Sequence, residues 1–142
     1  APGVTTRATA AGNYLVPRVD VQIAATFTSS PGVPLQANWN VPSAVAALSL
    51  GRPLSGNAPS ASVNLLAPGE MRSSRVNILD MRFGKILRFR NTRANVALDV
   101  YNILNLDTVL GQNFTFVPGG QWLVPTEVLT ARTAKITLQF DF

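Results

Sequence analysis

From Val19 the chain alternates: Val19, Val21, Ile23, Ala25 and Phe27 are apolar, while Arg18, Asp20, Gln22, Thr26 and Thr28 interleave them, with Ala24 between. A period of two places one set on each face of a strand, so the pattern predicts a strand over 18–28. The same alternation returns over 76–89, where Leu79, Met81, Phe83, Leu87 and Phe89 oppose Asp80, Arg82, Gly84, Arg88 and Arg90; Ile86 and Lys85 break the parity. Ala94, Val96, Leu98 and Val100 then alternate with Asn95, Ala97 and Asp99. The polar stretch Arg90-Asn91-Thr92-Arg93 between these two runs predicts a hairpin, with its second strand over 94–103. The last run, 131–142, sets Ala134, Ile136, Leu138, Phe140 and Phe142 against Thr133, Lys135, Thr137, Gln139 and Asp141.

Between the runs, Pro and Gly punctuate the chain too often for long helices. Residues 30–74 read as one long connection holding a short hairpin: Leu35, Ala37, Trp39 and Val41 alternate with Gln36, Asn38 and Asn40, and Ala61–Leu66 is a short return strand. The Ala-, Ser-, Gly- and Pro-rich stretch 43–60 reads as loop. The fold class is therefore all-β, antiparallel, with almost no helix, and the 142 residues are one domain's worth of chain.

Three features move this reading from a soluble sheet towards a membrane barrel. The four main runs are each ten residues or longer, where strands of soluble domains average about 5–6 and tilted transmembrane strands need about 9–11. The connections alternate between short (90–93) and long (30–74 and 105–127), as barrel turns and extracellular loops do. Tyr14, Trp39, Tyr101 and Trp122 stand at strand ends or loop borders, where interfacial aromatics belong. Composition agrees. Charged residues make up 13% of the chain against roughly 25% in soluble domains, too few to dress a wholly aqueous surface. No apolar run approaches the roughly 20 residues of a spanning helix. With no Cys and no His, disulfides, thiolate sites and the commonest general base are absent. The N-terminal Ala1-Pro2-Gly3 carries no initiator Met and no export signal, which is expected if a leader has been removed or the chain begins mid-protein.

Particular residues also resemble a known family. Tyr14-Leu15-Val16-Pro17 followed by Ala25-Thr26-Phe27 through Ser30-Pro31-Gly32-Val33-Pro34-Leu35 is similar to the late barrel strands of TonB-dependent outer-membrane receptors, especially those of Acidobacteria and their relatives. Leu79-Asp80-Met81-Arg82-Phe83-Gly84-Lys85 and Leu98-Asp99-Val100-Tyr101-Asn102-Ile103-Leu104-Asn105 look like the two strands preceding the end of such receptors, and Ala131-Arg132-Thr133-Ala134-Lys135 with terminal Phe142 like the final strand. The resemblance covers nearly all of residues 14–142. It implies a nutrient transporter in the outer membrane of a Gram-negative bacterium. A complete receptor barrel has 22 strands, needing roughly 220 residues for strands alone, so the resemblance implies the C-terminal portion of a barrel that is incomplete by itself. Its partners would be the remaining strands and plug of the parent receptor, the barrel-assembly machinery and lipid. Released as a fragment, it would be extracellular.

Candidate chemistry is sparse. Asp80, Arg82, Arg88, Arg90, Arg93 and Asp99 are expected to line a wet lumen or a turn. Asp80 and Asp99 could face one another across the hairpin, the raw material of acid/base catalysis, but the neighbouring arginines make an ion-pair ladder the simpler account, and no enzyme activity is expected. Asn102, Asn105, Asp107 and Asn113 lack the regular spacing of a calcium loop. Neither a metal nor any other cofactor is expected. Seven of the twelve basic residues fall between Arg72 and Arg93, yet Phe83 and Phe89 have the opposite parity to Arg82, Arg88 and Arg90, so no stacking platform for nucleic acid forms. Ile136, Leu138, Phe140 and Phe142 match the alternating, Phe-terminated last strand that, by the resemblance, the barrel-assembly machinery recognises. The rival expectation is structural: a β-rich fragment with open edges that pairs with copies of itself into a ring, tube or fibril.

Overall fold

The computed structural model describes residues 5–90 and 92–141. It is dominated by antiparallel sheets, with 54% of residues in strands and 8% in helix, so the all-β class holds. The elements in chain order are β1 (Ala8–Val16), β2 (Val21–Ser30), β3 (Asn38–Pro42), helix α1 (Ser43–Leu50), β4 (Ser60–Asn64), β5 (Val76–Phe89), β6 (Thr92–Tyr101), β7 (Val109–Gln112), β8 (Thr115–Phe116), β9 (Pro125–Val128) and β10 (Thr133–Asp141).

The chain divides into two compact units. One contains Thr5–Pro31, Arg75–Thr108 and the segment from Val128 onward. It is a five-stranded antiparallel sheet in the order β1-β2-β5-β6-β10, with β1 and β10 as its edges and no closure between them. Four of its strands follow the alternating runs. β1 is additional: Ala8, Ala10, Ala11 and Gly12 give it no hydrophobic signature, yet it pairs with β2 from Ala8–Ser29 to Val16–Val21. At its other end, the alternation at Arg18 and Asp20 is turn and not strand, because Pro17 opens a four-residue reversal in which Arg18 (φ 77°) and Asp20 (φ 50°) adopt left-handed backbone. The β5–β6 reversal is tighter than its polar sequence implies, since Phe89 already pairs with Thr92, and Arg90 (φ 38°) turns the chain. Both reversals lie at one end of the sheet, where the Asp20 carbonyl accepts from the Ile86 amide at 3.2 Å. The long connections, 31–75 and 102–132, leave from the other end.

The second unit comprises Gly32–Ser74 and Val109–Glu127. Here β3 pairs antiparallel with β4, forming the short hairpin, and parallel with β8 through Asn38–Thr115 and Trp39–Phe116. This pair is parallel, whereas the long strands pair antiparallel throughout. β7 and β9 form a separate two-stranded ribbon. Part of the stretch read as loop is helix: Ser43–Leu50 is rich in Ala and Leu, good helix formers, and ends where Gly51 (φ 69°) donates its amide to the Ala47 carbonyl. Its apolar residues surround the helix and none is buried, so no periodicity announces it.

Neither unit has a thick core. Among the described residues the buried hydrophobics are Leu35, Ala37, Ala94 and Ala97, and no large side chain is fully buried. One close approach holds the second unit. The Gly32 backbone runs against Ser73 and Ser74, tied by Ser73 N–H donating to Val33 O (2.9 Å), Leu35 N–H to Met71 O (2.9 Å) and Arg72 Nη1 to Gly32 O (3.3 Å). A Cβ on Gly32 would collide with the Ser73 carbonyl. Gly32→Ala is therefore expected to destabilise this unit by roughly 1–3 kcal/mol through forced backbone displacement, read as a lower denaturation midpoint by circular dichroism in detergent, while Gly12→Ala, with open space around it, leaves the midpoint within error.

Candidate functional site: the two faces of the long sheet

Residues directly paired across strands share a face, so the register assigns every side chain of the five-stranded sheet. One face reads, row by row, Tyr14–Ile23–Phe83–Leu98–Ile136, then Val16–Val21–Lys85–Val96–Leu138, then Leu87–Ala94–Phe140. Towards the other end the rows are Gly12–Ala25–Met81–Val100–Ala134 and Ala10–Phe27–Leu79. Apart from Lys85 it is apolar across all five strands, and it is open. Tyr14, Phe89, Ile136, Leu138 and Phe140 are each more than half exposed, with Ile136 at 71%. Of the alternating last-strand residues, Ile136, Leu138 and Phe140 lie opposite Leu98, Val96 and Ala94; Phe142 lies outside the described residues. The apolar rows stop at the Ser29–Asn77 pair, where Ser29 Oγ donates to Asn77 Oδ1 (2.7 Å) and accepts from Arg75 Nη1 (2.9 Å). Arg75 Nη2 also donates to the Thr6 carbonyl (2.8 Å).

The opposite face carries the charges. Asp80, Arg82 and Arg88 of β5 share it with Arg93 and Asp99 of β6 and with Lys135 of β10. Asp99 does not face Asp80. The register sets it between Arg82 and Lys135, and its carboxylate meets Arg82 Nη1 at 3.4 Å. Asp99 is only 7% exposed, so the flanking cations offset the cost of burying its charge. Asp80 lies opposite Thr26, and the two carboxylates with Arg82 and Tyr101 border a shallow hollow of about 320 Å³. Near the short turns Arg88 and Arg93 are direct neighbours. That like-charge contact is relieved by Asp20, 2.9 Å from Arg88, and Asp141 is the register partner of Arg93. Arg90 lies in the turn. Two ion pairs and a hollow position charge on this face.

A third feature joins the strands where the long connections leave. Asn102, at φ 49° and 4% exposed, takes part in five hydrogen bonds, one of them from the Asn105 amide to its own carbonyl (2.8 Å). Its backbone N–H donates to the Asp80 carboxylate (2.9 Å), Nδ2 donates to the carbonyls of Leu106 (3.0 Å) and Thr130 (2.8 Å), and Oδ1 accepts from the Leu106 amide (3.2 Å). Asn105, also left-handed at φ 50°, accepts from the Arg132 amide (3.0 Å). Thus β5, the end of β6 and the approach to β10 are stapled by two asparagines. Composition offers Asn102 as a calcium oxygen donor, whereas its amide is fully engaged in the chain. The signal that could have identified it is its position: an Asn directly after an alternating strand suits left-handed backbone. Asn113 likewise accepts from the Thr115 amide (2.9 Å). Among the described residues no three Asp or Glu gather to hold a metal ion.

The four aromatics expected at an interface separate. Tyr14 stands on the apolar face, 63% exposed. Tyr101 shares the parity of Asp99 and stands on the charged face. Trp39 and Trp122 belong to the second unit, where Trp122 Nε1 donates to the Gln36 carbonyl (3.0 Å) and its ring meets Phe116 edge-on at 6.2 Å. Comparison of the chain with protein-family models, curated proteins and solved structures finds no match.

The Asn102 staple has a measurable weight. Asn102→Ala leaves two carbonyls and an amide without their partner, a cost of roughly 1–3 kcal/mol. Asn102→Gly loses the same bonds but accepts φ 49° freely, so it is expected to be the milder variant by about 1 kcal/mol. Equal denaturation midpoints for the two would show that backbone conformation contributes nothing at this position.

Proposed function

We propose that this chain is a C-terminal segment of a TonB-dependent outer-membrane transporter, contributing barrel wall and no chemistry of its own. The observation that supports this most directly is the register of the long sheet, which gathers apolar side chains on one face of five strands and ion-paired ones on the other. A soluble sheet would cover the apolar face; here it stays exposed. Its height is also apt. From Leu79 to Phe89 a strand rises about 33 Å at roughly 3.3 Å per residue, which at a tilt of about 40° is a band near 25 Å, the apolar belt of an outer-membrane barrel. The strand ends are staggered in the same sense. The β1–β2 turn begins at the row of Lys85, whereas β5 continues to Phe89, as strands leaning across a membrane require. Short reversals at one end and long connections at the other complete the barrel-like plan. The charged face then borders the lumen.

A self-associating fragment is the second reading, favoured by the open edges at β1 and β10. Eight of the nine β10 residues are exposed, so its outer amides and carbonyls are free to pair with another copy.

The test is refolding of the chain with phospholipid vesicles and with detergent micelles, followed by protease digestion and circular dichroism. The transporter reading expects strand-rich, lipid-associated protein whose five-stranded unit resists digestion. Ile136→Arg, on the row of Leu98 and Phe83 near the middle of the Leu79–Phe89 belt, is expected to weaken that association by roughly 2–4 kcal/mol, as a cation on a lipid face does near mid-membrane, whereas Thr137→Arg, on the charged face, changes it little. Equal effects would mean that the apolar face does not meet lipid. A monodisperse 15.2 kDa species in detergent-free buffer would count against both readings.

A further inference from the structure

Charge is not spread evenly along the long sheet. At the short-turn end stand Arg18, Lys85, Arg88, Arg90 and Arg93, all exposed, against Asp20 and Asp141 alone, a surplus of three positive charges. Among the described residues only Arg88 of the five has an ion-pair partner, Asp20. Lys85 is the informative member. Among the described residues it is the one charged residue on the apolar face, directly between Val21 and Val96, with Phe83 and Leu87 before and after it in the strand. A cation on such a surface is costly unless its flexible stem lies along the apolar side chains and carries the ammonium to a polar boundary. That boundary is near, since Val21 beside it is the first strand residue after the Pro17–Asp20 turn. Beyond it Phe89 and the turn residue Arg90 continue the sequence from apolar to basic.

From this arrangement we infer that the short-turn rim binds anionic phospholipid: the apolar face takes the acyl chains while Lys85, Arg18 and Arg90 take the phosphates of the head groups. This rests on the membrane reading above and adds its lipid class and its orientation. Charge complementarity selects the occupant. A second copy of the same rim would bring three further positive charges against three, and a nucleic acid would satisfy the arginines but leave the adjoining apolar face in water. An acidic lipid surface satisfies both at once.

Flotation with vesicles tests it, using phosphatidylcholine alone and phosphatidylcholine mixed with phosphatidylglycerol. Each Lys or Arg near an anionic surface is worth roughly fivefold in partitioning. Lys85→Gln with Arg90→Gln is therefore expected to lower partitioning onto the mixed vesicles on the order of twentyfold and to leave partitioning onto phosphatidylcholine unchanged. The charge-keeping pair Lys85→Arg with Arg90→Lys restores it. Arg7→Gln with Lys135→Gln, which removes equal charge from the opposite end and the opposite face, has little effect, and raised salt lowers the wild-type preference. Equal binding to both vesicle types, unaltered by Lys85→Gln with Arg90→Gln, would overturn this inference while leaving the membrane reading standing. Absence of binding to either vesicle would overturn both, as would a preference for a short DNA duplex over acidic vesicles, or sedimentation as a defined oligomer that excludes lipid.

Discussion

A slip of one residue between β5 and β6 would carry Asp99 from its place opposite Arg82 to one opposite Met81 or Phe83, setting a carboxylate among apolar side chains and Leu98 among charges. Every property of the long sheet depends on that register being kept. Since the period of a strand is two, the penalty for a slip falls on all pairs at once. The Arg82–Asp99 contact contributes from within the sheet. From its end, Asn102 ties the last turn of β6 to Asp80, so β5 and β6 are held together by a bond that no slipped pairing can make. The staple is small beside the apolar pattern it protects, yet it is the most directional contact in the unit.

The strands were legible in the sequence where both parities carried a distinct chemistry. Val76–Phe89 matches the expected bounds, because large apolar and charged residues interleave over Leu79–Gly84 and Leu87–Phe89 even though Lys85 and Ile86 break the parity. β1 was not legible: Ala and Gly pair as well as any residue at a sheet edge but leave no contrast to detect. α1 was hidden for a related reason, being apolar on all sides in a stretch whose composition suggests loop. The parallel β3–β8 pair joins residues far apart in the chain, and nothing local in either segment specifies it. For the candidate site, the parity of the charges was legible and their partners were not. Asp99 and Asp80 do share the charged face, but the two-residue reversal after Phe89 sets Arg82, and not Asp80, opposite Asp99. Asp20 joins the ladder only because a left-handed turn delivers it to Arg88.

The scarcity of buried side chains follows from the same geometry. Most globular sheets gain stability by covering one face with a helix or a second sheet. Here the side chains that would form such a core stay exposed, and among the described residues the buried hydrophobics of the sheet are the alanines at 94 and 97. Stability of the long sheet thus depends on backbone pairing, on polar staples at its ends, and on whatever solvent meets its apolar face.

The placement of the long connections has a kinetic side. The β1–β2 and β5–β6 hairpins close over four and two residues, which costs little chain entropy and proceeds in microseconds. Joining them through β2–β5 requires residues 31–75 to be looped out, and adding β10 requires the same of residues 102–132. Loop-closure entropy grows only slowly with length, so the delay comes less from the size of these excursions than from their conformational search. Two ready-made ribbons with exposed edges therefore exist before the sheet does. During that interval each ribbon meets neighbouring chains on equal terms with its own second half, and the long connections set how long the interval lasts.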